Sequence, residues 1–241
     1  MSRSPQALAL LGAALAVAAC GVLPVPPPAL ETDFIPDVAA ATVDASSITT
    51  DGFTTEQHLA VRIRVETCTG WATGSGWVLS DHEVVTNRHV IEGAIRIEIT
   101  TYDGRDFTVL SSQVAGVADL GLLTLDSVFA ETADYEVTQL SRLDPVSIVG
   151  YPEGQALTVE EGHFLESEED DVNDSGELVW LLRAHVEPGN SGSPVYNDEG
   201  SVVAVLYAGD EYHEALAWPV AWLDALIQDP SGWQDNTTTC E

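Results

Sequence analysis

The sequence contains no lysine: its eight cationic side chains are all arginine, at positions 3, 62, 64, 88, 96, 105, 142 and 183, against 39 Asp and Glu, for a net charge of −31. Nucleic acid and anionic membrane faces both require a basic footprint, so neither is expected as a partner. Cysteine is almost as scarce, with three in 241 residues, which excludes a disulfide-dense scaffold. Long apolar runs are missing too. The longest near the N-terminus, Ala7 to Val17, falls well short of the roughly 20 residues a membrane-crossing helix needs. The length is enough to bury a substantial core, in one all-β domain of two packed halves or in two small domains.

What the first residues do contain is Arg3, the apolar run, and then Val17-Ala18-Ala19-Cys20, the shape of a secretory signal. The last four residues resemble the lipobox of bacterial lipoproteins, in which the cysteine is lipidated and becomes the first mature residue; the alternative is a plain signal peptide cut nearby. The expected division is a signal at 1–19, a Pro/Ala/Thr-rich tether at 20–51 and a folded domain at 52–241. Pro24-Val25-Pro26-Pro27-Pro28 stiffens the tether into extended segments. The expected location is the outer face of a bacterial membrane, touched only through a lipid on Cys20, or the secreted fraction. Export places Cys68 and Cys240 in an oxidising setting, where a bridge pinning the tail to the first strands is the economical reading and two free thiols the alternative.

Strand signals dominate the rest. Val61, Ile63 and Val65 alternate with Arg62, Arg64 and Glu66, a period of two that turns one face inward. Gly74 to Leu79 and Val84 to Thr86 flank a polar turn and predict a hairpin delivering His89. Ile95, Ile97 and Ile99 predict a further strand, closed by a turn at Asp103-Gly104, and no helix is expected in this stretch. Later strands are predicted at Val146 to Val149, near Ala156 to Val159, at Leu178 to Leu182 and at Val202 to Tyr207, with Glu166 to Glu177 as an acidic loop. Pro219 opens a short predicted helix to Gln228, with Trp222 paired to Leu226 and Leu223 to Ile227.

One stretch carries chemistry. In Glu187-Pro188-Gly189-Asn190-Ser191-Gly192-Ser193-Pro194, a serine lies between glycines in a tight turn before an apolar strand. Gly189 can take backbone angles closed to other residues and so converge successive N–H groups beside the hydroxyl, where an oxyanion would sit. By itself this is also ordinary turn composition. A serine hydroxyl needs a base and an orienter. His89 emerges at the end of an apolar strand, and Asp119 interrupts the apolar run Val117 to Leu125, where an unpaired carboxylate would be costly. A Ser-His-Asp set follows from the three together.

Thr86-Asn87-Arg88-His89-Val90, Ala118-Asp119-Leu120-Gly121-Leu122-Leu123 and Gly189-Asn190-Ser191-Gly192-Ser193-Pro194, in that order, resemble the three signature segments of chymotrypsin-like (trypsin-like) serine peptidases. The likeness is to bacterial branches such as the glutamyl-endopeptidase-like and high-temperature-requirement groups. It extends over about 56–228 and includes Val149 to Gly154 and Ala217-Trp218-Pro219. The resemblance implies two packed six-stranded antiparallel β-barrels, the first at about 56–130 and the second at about 135–218, with a C-terminal helix and tail at 219–241. It implies His89, Asp119 and Ser191 as the triad, the N–H groups of Gly189 and Ser191 as the oxyanion hole, and Tyr207-Ala208-Gly209 as the strand that pairs with an extended protein or peptide substrate. His185 matches a wall of the primary specificity pocket, where it either favours an acidic side chain or simply packs. Asn190 stands where zymogen-activated members carry Asp, so activation by pairing that residue with a new N-terminus is not expected.

No metal or organic cofactor is required by this chemistry. Asp171 to Gly176 is similar to the start of an EF-hand loop, but the twelfth position is Leu182 rather than the bidentate Glu such a loop requires. The rival readings are a catalytically silent barrel serving as a binding or scaffold lipoprotein, and an esterase using the same site.

Overall fold

The computed structural model describes residues 49–210 and 212–238. The expected signal, most of the tether, Cys20 and Cys240 lie outside the described residues.

The first barrel is built from β1 (Ala60–Thr67), β2 (Gly70–Val78), β3 (Glu83–Thr86), β4 (Arg96–Thr101), β5 (Asp106–Ala115) and β6 (Gly121–Leu125). All neighbouring pairs are antiparallel in the order β5-β4-β1-β2-β3-β6, and β6 pairs back onto β5 to close the ring. The alternation in β1 sends Val61, Ile63 and Val65 fully inside, while Arg64 is exposed and the half-buried Arg62 donates to Gly154 O at 3.3 Å; burying every second residue is the gain a period of two makes available. β5 carries no clear alternation and sequence reasoning did not find it. Its exposed face, including Leu110 at 66% exposure, blurs the pattern, and only closure of the ring fixes it as a strand.

The second barrel comprises β7 (Pro145–Gly150), β8 (Thr158–Glu169), β9 (Leu178–Arg183), β10 (Pro194–Tyr196), β11 (Val202–Gly209) and β12 (Glu214–Pro219), closed in the order β10-β11-β12-β9-β8-β7. Its interior holds Val146, Ile148, Phe164, Trp180, Leu182, Val195 and Leu206. A larger cluster fills the first barrel and continues through Val149, Tyr151, Tyr196 and Trp218, which belong to the second half, so one apolar core runs across the junction.

Several expectations are corrected. Glu166 to Glu169 belong to β8, so the acidic loop is confined to Asp170–Glu177: with side chains mostly toward water they pair with Leu178 to Leu181 of β9, and charge alone does not end a strand. The stretch expected to lack helix contains a short one, α2 (Arg88–Ile91), and another, α1 (Thr55–Leu59), precedes it. Both are too brief for a 3.6-residue period to register, although Thr54 and Gln57 form a reciprocal cap at the start of α1. α3 (Val220–Gln228) follows Pro219, which is itself the last residue of β12. On α3, Leu223 is buried and Trp222 and Leu226 pack on the core, but Ile227 is 41% exposed and does not dock. The tail also forms a strand, β13 (Trp233–Asp235), which pairs with Gln113, Val114 and Ala115 of β5. The chain therefore finishes by returning from the second barrel to the first.

Candidate active site

β3 ends at Thr86, and the next residues turn into α2 with Asn87 as N-cap. The wholly buried Asn87 donates through Nδ2 to the backbone carbonyl of Asp119 at 2.8 Å, tying the start of α2 to the turn before β6. Asp119 is 1% exposed. Its Oδ1 accepts from the backbone N–H of His89 at 2.9 Å and its Oδ2 lies 2.6 Å from His89 Nδ1. The carboxylate thus meets both the main chain and the ring of one residue, which fixes the imidazole plane and leaves Nε2 outward; the His89 side chain is 47% exposed. A charge-assisted bond of this length in a buried setting is among the stronger hydrogen bonds available. Arg88 plays no part here: its Nη1 donates to Ala115 O at 3.2 Å, bracing the end of β5.

The second barrel supplies the Ser191 turn. Gly189 has φ +99, and a Cβ there would stand 2.6 Å from Glu153 N and 2.7 Å from Tyr151 O, so only glycine fits. The carbonyl of Pro188 accepts from Glu153 N at 2.5 Å. Because the trans peptide opposes its C=O and N–H, the Gly189 N–H points away from Glu153. Among the described residues neither Gly189 N–H nor Ser191 N–H has an acceptor, whereas Asn190 N bonds Glu187 O at 3.0 Å and Gly192 N bonds Leu206 O at 2.8 Å. Asn190 is 2% exposed, in keeping with a turn held by packing. Ser191 Oγ donates to Tyr207 O at 3.4 Å, a long bond. No hydrogen bond joins it to His89 among the described residues. The neighbour of His89 and the Ser191 main chain do meet at one point: Val90 of α2 and the Ser191 carbonyl both close over Gly74 on β2, at 2.6 and 3.2 Å from where a Cβ would be.

Ser75 is the residue that sequence reasoning missed. It is fully buried in β2, its N–H donates to Ser191 O at 2.8 Å, its hydroxyl donates to Gly189 O at 2.8 Å and accepts from Tyr151 N at 2.9 Å. A first-barrel residue therefore holds both residues of the expected oxyanion hole, Gly189 through its hydroxyl and Ser191 through its backbone N–H. The only sequence signal was its position between two glycines.

The expected specificity residues divide. His185, Ala208 and Gly209 line a cavity of about 460 Å³ together with Ser191, Val186 and Glu187. Beyond Leu206 the cavity side of β11 has no strand partner among the described residues, while Ala208 and Gly209 pair with β12 on the other side, leaving a short backbone edge open beside Ser191. Tyr207 points the opposite way. Its ring packs beside Trp218, and its hydroxyl donates to Asp170 Oδ1 at 2.7 Å. Burial of Tyr207 raises its pKa, and the Asp170 bond raises it further. Burial also pushes Asp170 up, but the bonds from Tyr207, Asn173 and Ser175 outweigh that and hold it below its ordinary value of 3.8. Four donors converge on this one carboxylate.

Two closed six-stranded antiparallel barrels, one carrying a histidine paired with a buried aspartate and the other a glycine-flanked serine turn, define a chymotrypsin-like fold. The trypsin-like peptidase domain model matches residues 74–205, and the chain belongs to that family. Among curated proteins it is similar to a putative serine protease, HhoB, from Synechocystis sp., 37% identical over 142 residues that make up 55% of this chain and 33% of that protein. Among solved structures, the Rv3671c protease from M. tuberculosis in its active form superposes with a TM-score of 0.65 at 21% identity, covering 77% of this chain and 85% of that one. The serine endoprotease from Yersinia pestis superposes with a TM-score of 0.61 at 22% identity, covering 72% and 64%. The chain spans about a third of the length of the curated relative it matches.

Proposed function

We propose that this chain is an exported serine endopeptidase acting on protein or peptide substrates. Ser191 Oγ attacks the scissile carbonyl carbon while His89 Nε2 takes its proton; Asp119 fixes the ring tautomer and stabilises the imidazolium. The N–H groups of Gly189 and Ser191 receive the developing oxyanion. His89 then returns the proton to the leaving amine, and water, deprotonated by the same nitrogen, releases the acyl-enzyme. The open edge at Ala208 and Gly209 takes the substrate as an added strand. The observation that carries this reading is the buried Asp119 carboxylate 2.6 Å from His89 Nδ1, in a chain whose serine turn carries two N–H groups with no acceptor among the described residues. Covalent labelling of Ser191 by a fluorophosphonate tests it, with labelling lost in Ser191→Ala and strongly slowed in His89→Ala. A folded protein that resists the label and cleaves nothing in a broad peptide library rejects it.

The same reading includes export by the 1–19 signal, lipidation at Cys20, a tether to residue 51 and a peptidase domain from 52 to 241. Several relatives are named periplasmic serine endoproteases, which supports export. Among the described residues no helix is long and apolar enough to cross a membrane. A Cys68–Cys240 bridge is supported by the path of the tail: Thr238 Oγ1 donates to Ala94 O, and the next residue, Ile95, donates to Glu66 O at 2.7 Å, two residues before Cys68. Mass spectrometry of the mature protein reads both features; an N-terminus other than acylated Cys20, or alkylation of both thiols without reduction, rejects the one or the other.

A further inference from the structure

His185 lines the Ser191 pocket, and His213 stands against it with the two Nδ1 atoms 3.0 Å apart. One proton lies between two such nitrogens, with one ring donating and the other accepting. The backbone holds the pair in place. Ala184 N–H donates to His213 O at 3.0 Å, continuing the β9–β12 ladder past its Arg183–Glu214 rung, and His213 is fixed in the left-handed region at φ +64. On the other side of His185, Nε2 faces Glu187 Oε1 at 3.6 Å. With its proton on Nε2 toward that carboxylate, His185 presents the Nδ1 lone pair to His213. A carboxylate behind an imidazole whose other nitrogen is free to coordinate is the arrangement that orients metal-bound histidines.

We propose that His185 and His213, with Glu187 orienting the first, form a binding site for a zinc-class divalent ion at the mouth of the pocket leading to Ser191. Zn–N bonds of about 2.0–2.1 Å close across the observed separation at an angle near 95°, and opening it to about 3.3 Å reaches the tetrahedral value. The ion takes the place of the shared proton; His213 loses its Nδ1 proton to solvent and takes one up at Nε2, so both rings stay neutral. Imidazole nitrogens select zinc, copper or nickel over calcium and magnesium. Among the described residues no three His, Cys, Asp or Glu side chains meet as a metal cluster. The site accordingly has two protein donors, with water in the remaining positions. That water and the added charge occupy the entrance used by the side chain before the scissile bond, so metal slows turnover of uncharged substrates. This last consequence rests on the endopeptidase reading, whereas the binding does not.

The test is calorimetric titration of zinc chloride into the full chain carrying His89→Ala, which removes the imidazole of the proposed triad. One zinc per chain is expected, weakened at least tenfold by His213→Ala and by roughly 10–100-fold in Glu187→Gln, with no comparable site for calcium. In the chain with His89 intact, zinc slows peptide turnover and His213→Ala relieves the effect. Absence of binding at millimolar zinc, or binding undiminished by His213→Ala and so due only to the acidic surface, overturns the site. Binding as expected, in a chain that labels at Ser191 and whose turnover zinc leaves unchanged, overturns its control of the pocket.

Discussion

Ser75→Ala removes one oxygen and strands two partners. The hydroxyl donates to Gly189 O and accepts from Tyr151 N, both at less than 3 Å, inside a residue with no exposed surface. Deleting it leaves a buried N–H and a buried carbonyl unpaired, each costing about 1–3 kcal/mol, so a loss of roughly 2–4 kcal/mol is expected after partial relaxation. For a domain of this size that lowers the melting temperature by on the order of 5–15 °C. Catalysis should fall as well, because losing the anchor on the Gly189 carbonyl loosens the residue whose N–H, in the preceding peptide, would meet the oxyanion. Loss of a whole oxyanion donor costs about 10²–10³ in kcat, and misaiming one should cost roughly tenfold, with KM nearly unchanged. The control is Ser193→Ala, another fully buried serine, whose hydroxyl has no partner among the described residues; it should cost little. Thermal or urea unfolding gives the stability and steady-state peptide hydrolysis gives the split. Equal melting temperatures for the two variants, or a Ser75→Ala enzyme with unchanged kcat, would refute the clamp.

Asp119→Asn should leave the fold intact and lower kcat by about 10⁴, since the amide turns the His89 tautomer the wrong way; full activity by peptide turnover would remove Asp119 from the site. Gly189→Ala forces φ +99 on a residue with a Cβ and drives that carbon against Glu153 N, so fluorophosphonate labelling should slow at least tenfold while unfolding cooperativity is kept. Tyr207→Phe deletes a charge-assisted bond to Asp170 and should cost about 1.5–2 kcal/mol at neutral pH. Asp170 is held more acidic in the folded state than its ordinary value of 3.8, so its bonds stabilise the fold above that value and are lost as the pH falls below it. The Tyr207→Phe penalty should therefore shrink in acid and be small in an Asp170→Asn background, and a penalty that persists in both would refute the pairing.

What the sequence determined about this protein is the part in which identity and spacing already carry the physics. Alternation in Val61 to Val65 gave a strand because burial acts on every second residue. Asp119 within an apolar run demanded a partner because a lone buried carboxylate is too costly. The Ser191 turn was legible because Gly189 is required by its backbone angle. The family likeness joined those three segments, and the two-barrel fold agrees with it.

Tertiary structure decided whatever depends on residues far apart in the chain meeting at a shared point. Ser75 looked like one more strand residue, and only the packing of β2 against the Gly189 turn makes its hydroxyl a clamp. Asp170 read as one charge in an acidic loop until β11 brought Tyr207 beneath it. The return of β13 to β5 and the meeting of His185 with His213 likewise have no local signature. Hydrogen bonds and metal coordination act over about 3 Å and depend on direction, so they are set by where the barrels place their loops, which hydrophobic periodicity along the chain does not encode.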